Sequence, residues 1–348
     1  MNPVLQVALD FADLDRALKC AREAVAGGAD WLEAGTPLIK SEGLDAVRAL
    51  RQAFPGKHLV ADLKTADAGR AEMEMAAKAG ANSATVLGWA SDATIRECVA
   101  AGRNYGLEIE VDLLGSPDPA AAAARAEKLG AAGVGVHLAI DEQMLGRDPF
   151  EALRAVRGAV GLRVGVAGGI NSETAARAVE CGADVLVVGG AISKSPDAAA
   201  AARDLKRAME TGQAVASKLY KRAGLDGLRE LLAGVSTANL SDGAHRRPCL
   251  EGIRPLAPEM RLAGPAFTVR AFPGDWSKPV EAIDLAAPGD WLVGDADGVM
   301  VLPRAEAVEM ANRAADCLEK ENRIRGEIVA GGTTLAQVTH LLKWEKIG

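Results

Sequence analysis

The chain has 348 residues, of which 49% are hydrophobic and 25% charged, with a net charge of −7. A length of this order suggests two domains, and an acidic chain without a basic cluster argues against a nucleic-acid partner. Cys20, Cys98, Cys181, Cys249 and Cys317 are scattered with no CxxC pair, which reads as reduced, mostly buried thiols and excludes a disulfide frame or a zinc site. Aromatic residues are only 3%, so the core must be built from Ala, Val, Leu and Ile. No basic-then-apolar leader opens the chain and no apolar run is long enough to span a bilayer, so a soluble, cytoplasmic protein without a membrane partner is expected.

From the start to about residue 210, short apolar strands alternate with Ala-rich amphipathic stretches. Strands are predicted over 5–9, 31–33, 59–62, 83–87, 108–113, 133–137, 163–167 and 184–188, with helices such as 13–26, 43–53, 68–79 and 92–104 between them. Eight repeats of strand and helix with right-handed crossovers close naturally into an α/β (β/α)8 TIM barrel. A doubly wound open sheet is the alternative, and no GxGxxG follows the first strand to support it.

Asp10, Glu33, Asp62, Asp112 and His137 each fall at or just past the carboxyl end of a predicted strand, the face on which barrels build active sites. The seventh and eighth strands end in Gly168-Gly169 and Gly189-Gly190, and backbone N–H groups at such pairs can approach phosphate oxygens closely. These four glycines are the candidate phosphate site. The stretch Asp62-Leu63-Lys64-Thr65-Ala66-Asp67 carries the most chemistry. Alternation along a strand sends Asp62 and Lys64 to the same face, toward the barrel mouth, with Asp67 on the loop or first helical turn beyond.

Four carboxylates, Asp10, Glu33, Asp62 and Asp67, then face one cation, Lys64, and a phosphorylated substrate would add further negative charge. Such a mouth is unfavourable unless carboxylates protonate or a cation binds. A hard divalent ion with oxygen ligands, Mg2+, resolves the imbalance, with Glu33 and Asp62 from neighbouring strands as its ligand pair. His137 faces both the carboxylates and the phosphate site, which suits a catalytic acid/base. His58 begins its strand at the opposite face, where roles in stability dominate.

The D-x-K-x-x-D arrangement after the third strand resembles the orotidine-5'-phosphate-decarboxylase-like suprafamily. Within it, Leu5-Gln6-Val7-Ala8-Leu9-Asp10, Glu33-Ala34-Gly35-Thr36-Pro37-Leu38-Ile39-Lys40, Asp62 to Ala68, Val166-Ala167-Gly168-Gly169-Ile170 and Val188-Gly189-Gly190-Ala191-Ile192 are similar to the 3-hexulose-6-phosphate synthase family. The resemblance covers residues 1–210. It implies a Mg2+-dependent aldol condensation of D-ribulose 5-phosphate with formaldehyde, or its retro-aldol reverse, with catalytic roles for His137, Lys64, Asp67 and Asp10. It also implies a homodimer or higher homo-oligomer in which Asp67 reaches into the partner's site. The neighbouring 3-keto-L-gulonate-6-phosphate decarboxylase family shares the metal-binding carboxylates and the histidine and is the alternative. That family tends to carry K-I-A-D, a positive residue just after the histidine and G-R-S-I after strand eight. Here Lys64-Thr65-Ala66-Asp67, His137-Leu138-Ala139-Ile140-Asp141 and Gly189-Gly190-Ala191-Ile192 stand instead. Leu138, Ala139 and Ile140 also depart from the synthase pattern H-A-G-x-D, while the spacing to Asp141 and Gln143 is kept.

Past residue 210 the rhythm changes. A charged helix over 217–232 is predicted within a helical linker, 211–234, before a second region, 235–348. Val235 to Asp242, Gly252-Ile253-Arg254-Pro255-Leu256, Leu262 to Val269 and Gly294-Asp295-Ala296-Asp297-Gly298-Val299 resemble the ribonuclease-activity-regulator A family, which includes class II pyruvate aldolases. That family has a Gly-rich substrate loop and a D-G-x-x-R-D motif in a central segment. In this chain Ala287-Pro288-Gly289-Asp290 runs directly into Trp291, so the segment is missing. Strands over 266–271 and 291–302 and a helix over 304–325, presenting Val308, Met310, Ala311 and Leu318, are predicted to persist as a non-catalytic appendage.

Overall fold

A computed structural model describes residues 3–250, 257, 259–265 and 289–334. The described residues fall into two compact units, one within Met1–Ile140 and Asp148–Lys218, the other within Asp141–Arg147 and Leu219–Gly348.

In the first unit, β1 (Val4–Leu9), β2 (Trp31–Ala34), β3 (His58–Thr65), β4 (Ser83–Leu87), β5 (Glu108–Asp112), β6 (Gly133–His137), β7 (Arg163–Ala167) and β8 (Val185–Val188) close a parallel barrel in chain order. Closure is made by β1 lying against β8, with Val4 opposite Val185 and Val7 opposite Val188. The fold class is therefore the TIM barrel that the alternation predicts. These strands are short runs of Val, Leu, Ile and Ala because helices cover them outside and side chains fill them inside. Along this part of the chain lie α1 (Leu14–Ala26), α2 (Thr36–Glu42), α3 (Asp45–Ala53), α4 (Gly69–Ala79), α5 (Asp92–Tyr105), α6 (Pro119–Leu129), α7 (Ile140–Met144), which from Asp141 on belongs to the second unit, α8 (Phe150–Ala159), α9 (Ala175–Glu180), α10 (Gly190–Ser193) and α11 (Ala198–Thr211). Alanines such as Ala17, Ala21 and Ala24 on α1 and Ala198, Ala202 and Ala208 on α11 are fully or almost fully buried. Small side chains on the inner helical faces let the ring pack closely on the strands.

Seven strand ranges agree with the sequence to within a residue. The exception is β3, which continues to Thr65 through a bulge. Ala61 stands opposite Ala84 and Thr65 opposite Val86, so β3 advances four residues while β4 advances two. Asp62, Leu63 and Lys64 occupy the extra length.

The amino-terminal end of the barrel is plugged by polar aromatics. Trp31 and His58 stack with ring centroids 3.9 Å apart, Arg163 lies 4.9 Å over the Trp31 ring, and Arg163 pairs with Glu108 at 2.6 Å and with Glu110. Burial pushes the His58 imidazole down from 6.5 to about 4, with the Arg163 and Arg51 charges adding to this and Glu108 opposing it. A histidine that resists protonation when folded contributes stability that is complete above pH 6.5 and lost as the pH falls toward 4. The urea midpoint is expected to drop more between pH 7 and pH 5 in the wild type than in His58→Phe, which keeps the ring stack. Equal drops would show that His58 does not carry this linkage.

The second unit holds α12 (Leu228–Gly234), α13 (Thr237–Gly243), β9 (Leu262–Pro265), β10 (Trp291–Asp295), β11 (Gly298–Leu302) and α14 (Ala307–Val329), with its strands in one antiparallel sheet of order β11-β10-β9. Its core gathers Leu228, Leu232, Leu240, Met300, Leu302, Ala311 and Ala314. Met310 and Ala311 are buried and Val308 and Leu318 partly buried, the packing face predicted for this helix. The linker differs from expectation, since the 217–232 stretch becomes helical only at Leu228, in a helix that runs to Gly234. Gly224 and Gly227 lie within it, and each glycine costs a helix interior about 1 kcal/mol. The single strand over 291–302 is instead a hairpin turning at Ala296-Asp297. The strand expected over 266–271 and the Gly252–Leu256 motif lie outside the described residues.

Asp295 in this unit is consumed structurally. Its carboxylate accepts from the Thr237 N–H at 2.8 Å, the Thr237 hydroxyl at 2.5 Å and the Asp297 N–H at 3.1 Å. Asp141 pairs with Arg313 at 2.9 Å, and Gln143 accepts from Arg222. None of the five cysteines is in a disulfide, and Cys20, Cys98 and Cys181 are buried. No helix among the described residues is long and apolar enough to cross a membrane.

Candidate active site

The carboxyl ends of β1, β2, β3, β5 and β6 bring Asp10, Glu33, Asp62, Lys64, Asp112 and His137 to one mouth of the barrel. At its centre the Lys64 Nζ lies 2.8 Å from Asp62 Oδ2 and 2.8 Å from Asp112 Oδ2. Asp62 and Lys64 meet as predicted, but simple alternation is not the cause. Lys64 sits in the bulge with a left-handed φ of 48°, and this backbone lets its side chain bridge two carboxylates on different strands.

Asp62 is held from two further sides. Thr36 donates from its hydroxyl to Asp62 Oδ2 at 2.7 Å, and Thr85 donates to Asp62 Oδ1 at 2.8 Å. Asp112 also meets His137, with Nδ1 to Oδ2 at 3.1 Å. Burial alone would raise Asp112, but hydrogen bonds and charge from His137 and Lys64 outweigh it and hold the carboxyl down at about 2. An ionised carboxylate only accepts, so His137 Nδ1 is the donor in this hydrogen bond, and Nε2 is the ring nitrogen not engaged by Asp112. Burial likewise pulls Lys64 down, and the two aspartates more than reverse it, so the ammonium stays charged.

Glu33 is 6% exposed and accepts a hydrogen bond from the Gln6 side chain. Burial, then repulsion from Asp62 and Asp10, pushes its carboxyl well up, against the opposing pull of Gln6 and Lys64. Asp10 leaves part of its surface open at the mouth, yet its carboxyl is crowded by protein. It is raised by that crowding and by Asp62, and lowered by Lys64 and His137. A Cβ at Gly35 would collide with Asp10 Oδ1, so glycine there is what lets the carboxylate lie against the turn into α2.

Gly168 and Gly169 both adopt positive φ, 100° and 76°, which an L side chain would strain. Gly189 packs beside Asp10 Oδ2, and the Lys194 ammonium lies against Gly190. Asp67 is different. It is exposed two residues past the end of β3, and among the described residues no hydrogen bond brings it to Lys64.

Sequence reasoning gave no role to Asp112, Gln6, Thr36, Thr85 or Lys194. Asp112 is recognised there as a strand-end residue of the active face, and its place on the strand beside the one carrying His137 is the signal for its role. The hydroxyls carry no such signal.

Whether the residues suit a divalent ion can be judged on donor chemistry. Among the described residues no three His, Cys, Asp or Glu side chains are grouped to hold an ion alone. Mg2+ does not require that, because it keeps several waters and is bound through one or two carboxylates with the rest from substrate. Glu33 and Asp62 are oxygen donors on adjacent strands, and burial together with repulsion from Asp62 raises Glu33 and Asp10, two costs of ionised carboxylates that a bound cation relieves. The donor set fits.

Residues 237–332 match the Aldolase/RraA family model. Over 201 residues the chain is 43% identical to 3-hexulose-6-phosphate synthase of Methylomonas aminofaciens, covering 58% of this chain and 96% of that protein. The crystal structure of a 3-hexulose-6-phosphate synthase aligns at 41% identity with a TM-score of 0.56, covering 59% of this chain and 99% of that one. The crystal structure of 3-keto-L-gulonate-6-phosphate decarboxylase from Vibrio cholerae aligns at 27% identity with a TM-score of 0.55, covering 61% and 99%. Residues 3–205 match the Orotidine 5'-phosphate decarboxylase / HUMPS family model, and the chain belongs to that family.

Proposed function

We propose that the barrel catalyses the aldol condensation of D-ribulose 5-phosphate with formaldehyde to D-arabino-3-hexulose 6-phosphate, and its reverse. The reading is carried by the Asp62–Lys64–Asp112–His137 network beside buried Glu33, in a chain whose curated relatives at 43% and 41% identity are synthases and lyases. The chain is an enzyme of that lyase class.

Glu33 and Asp62 would hold Mg2+, which when bound supplies Lewis-acid stabilisation to the oxygens of the ketose. The phosphate would rest on the backbone of Gly168, Gly169, Gly189 and Gly190, with the Lys194 ammonium close by. His137 Nε2 takes the C1 proton, the C–H electron pair becomes the C1–C2 double bond, and the C2 carbonyl pair moves onto its oxygen. Lys64, kept charged by Asp62 and Asp112, stabilises the oxyanion that develops. The C1–C2 π pair then attacks formaldehyde, the C2 oxygen pair re-forms the carbonyl as the C–C bond closes, and the new alkoxide takes the proton held on His137 Nε2. Asp10 orients the substrate hydroxyls at the mouth. Asp67, turned outward on the single chain, completes the site of a partner copy in a homodimer.

The test mixes protein, Mg2+, ribulose 5-phosphate and formaldehyde and follows formaldehyde loss. Gly189-Gly190 stands where the decarboxylase family carries an arginine. Condensation is therefore expected to exceed 3-keto-L-gulonate 6-phosphate decarboxylation by at least about a hundredfold in kcat/KM, ~2.7 kcal/mol. Comparable or reversed rates would hand the assignment to the decarboxylase.

A further inference from the structure

A lysine in the left-handed region is held there against the close approach of its Cβ to the following carbonyl oxygen. Among the described residues only Lys64, Ala68, His245 and Arg246 adopt positive φ without being glycine. Within the bulge the β3–β4 register skips, so the ordinary partners of the Lys64 backbone are displaced. Its N–H is satisfied instead by a side chain, donating to the Thr85 hydroxyl oxygen at 2.9 Å. The same hydroxyl gives its own proton to Asp62 Oδ1 at 2.8 Å. One oxygen thus accepts from the backbone of the lysine and donates to the carboxylate that the lysine's ammonium grips at 2.8–3.0 Å. Thr36 makes no comparable bridge, since it donates only to Asp62, at its Oδ2 and its carbonyl oxygen.

We propose that Thr85 is a positioning residue of the active site, whose hydroxyl fixes the β3 bulge so that Lys64 bridges Asp62 and Asp112. The inference rests on the reading of Lys64 as the group that stabilises developing charge. A hydroxyl is required because the position must accept and donate at once. Valine has the same shape and suits a strand, but can do neither. Serine keeps the function and gives up only the methyl.

The experiment compares Thr85→Val, Thr85→Ser and wild type in three measurements. In steady-state condensation, Thr85→Val is expected to lose about 30-fold in kcat with KM for ribulose 5-phosphate changed by less than about twofold, since the phosphate glycines are untouched. Thr85→Ser should recover kcat to within about threefold of wild type. In amide hydrogen exchange, the Lys64 N–H should lose at least about tenfold protection in the valine variant and keep it in the serine variant. In a crystal structure of Thr85→Val, Lys64 should leave the left-handed region. A valine variant with near wild-type kcat, equal losses in valine and serine, or an unchanged Lys64 φ and exchange rate would each overturn the proposal. Should Thr85→Val fail to fold, Thr85→Ala carries the same three measurements. If the wild type proves inactive with formaldehyde, the aldolase reading falls by itself, and the exchange rate and the Lys64 φ still decide the role of Thr85.

Discussion

Lys64→Ala is expected to lower kcat/KM for condensation by about four orders of magnitude, ~5.4 kcal/mol, while circular dichroism shows a folded barrel. Two effects add in one direction. The ammonium that meets negative charge developing on the substrate is gone, and Asp62 and Asp112, both 6% exposed, are left as buried carboxylates without their shared cation. Lys64→Arg should not rescue, because a planar guanidinium cannot sit as a point charge between two carboxylates. Asp112→Asn is expected to cost about a thousandfold, because an amide no longer fixes the Nδ1–H tautomer of His137 and removes half of the lysine's clamp. The double variant should lose far less than the product of the single losses, since both residues act through one network. Asp112, held at about 2, stays ionised through the working range, so the acid limb of the pH–rate profile belongs to another group. A Lys64→Ala enzyme with more than a tenth of wild-type activity, or strictly multiplicative losses, would dismantle the network.

The barrel was legible because its strands are nearly continuous apolar runs and its helices bury alanine faces, so length and rhythm suffice to recognise both. Asp10, Glu33, Asp62 and His137 were legible as polar residues ending such runs. The bulge was not. Period-2 alternation puts Asp62 and Lys64 on one face and so reaches the right contact by the wrong route, since a left-handed lysine leaves no mark in a sequence. Asp112 was visible at its strand end and still lacked a role, because its importance lies in facing Lys64 from two strands away in the barrel. In the second unit, Asp295-Ala296-Asp297-Gly298 carries the Asp-first, Gly-last signal of a tight turn about Ala296-Asp297, which a single strand over 291–302 leaves out. The charged stretch 217–232 is not helical before Leu228, because Gly224 and Gly227 stand within it.

Chelation is expected to abolish condensation and Mg2+ to restore it, and Glu33→Gln or Asp62→Asn to cost about three orders of magnitude in kcat, ~4 kcal/mol. The reason is electrostatic. Glu33, Asp62 and Asp10 share one mouth with a single ammonium that is already paired with Asp112, and burial first, then repulsion from Asp62, raises Glu33 and Asp10. A divalent cation turns that repulsion into attraction, which is why a site destabilising in isolation can be retained. Stability and activity should therefore move in opposite directions. Without metal, Glu33→Gln relieves a buried like-charge contact and should melt no lower than wild type, although it is nearly inactive. Added Mg2+ should raise the wild-type melting temperature by mass action, with little effect on the variant. An enzyme fully active in chelator would remove the cation from the reaction. A Glu33→Gln protein stabilised by Mg2+ as strongly as wild type would move the ion to other ligands.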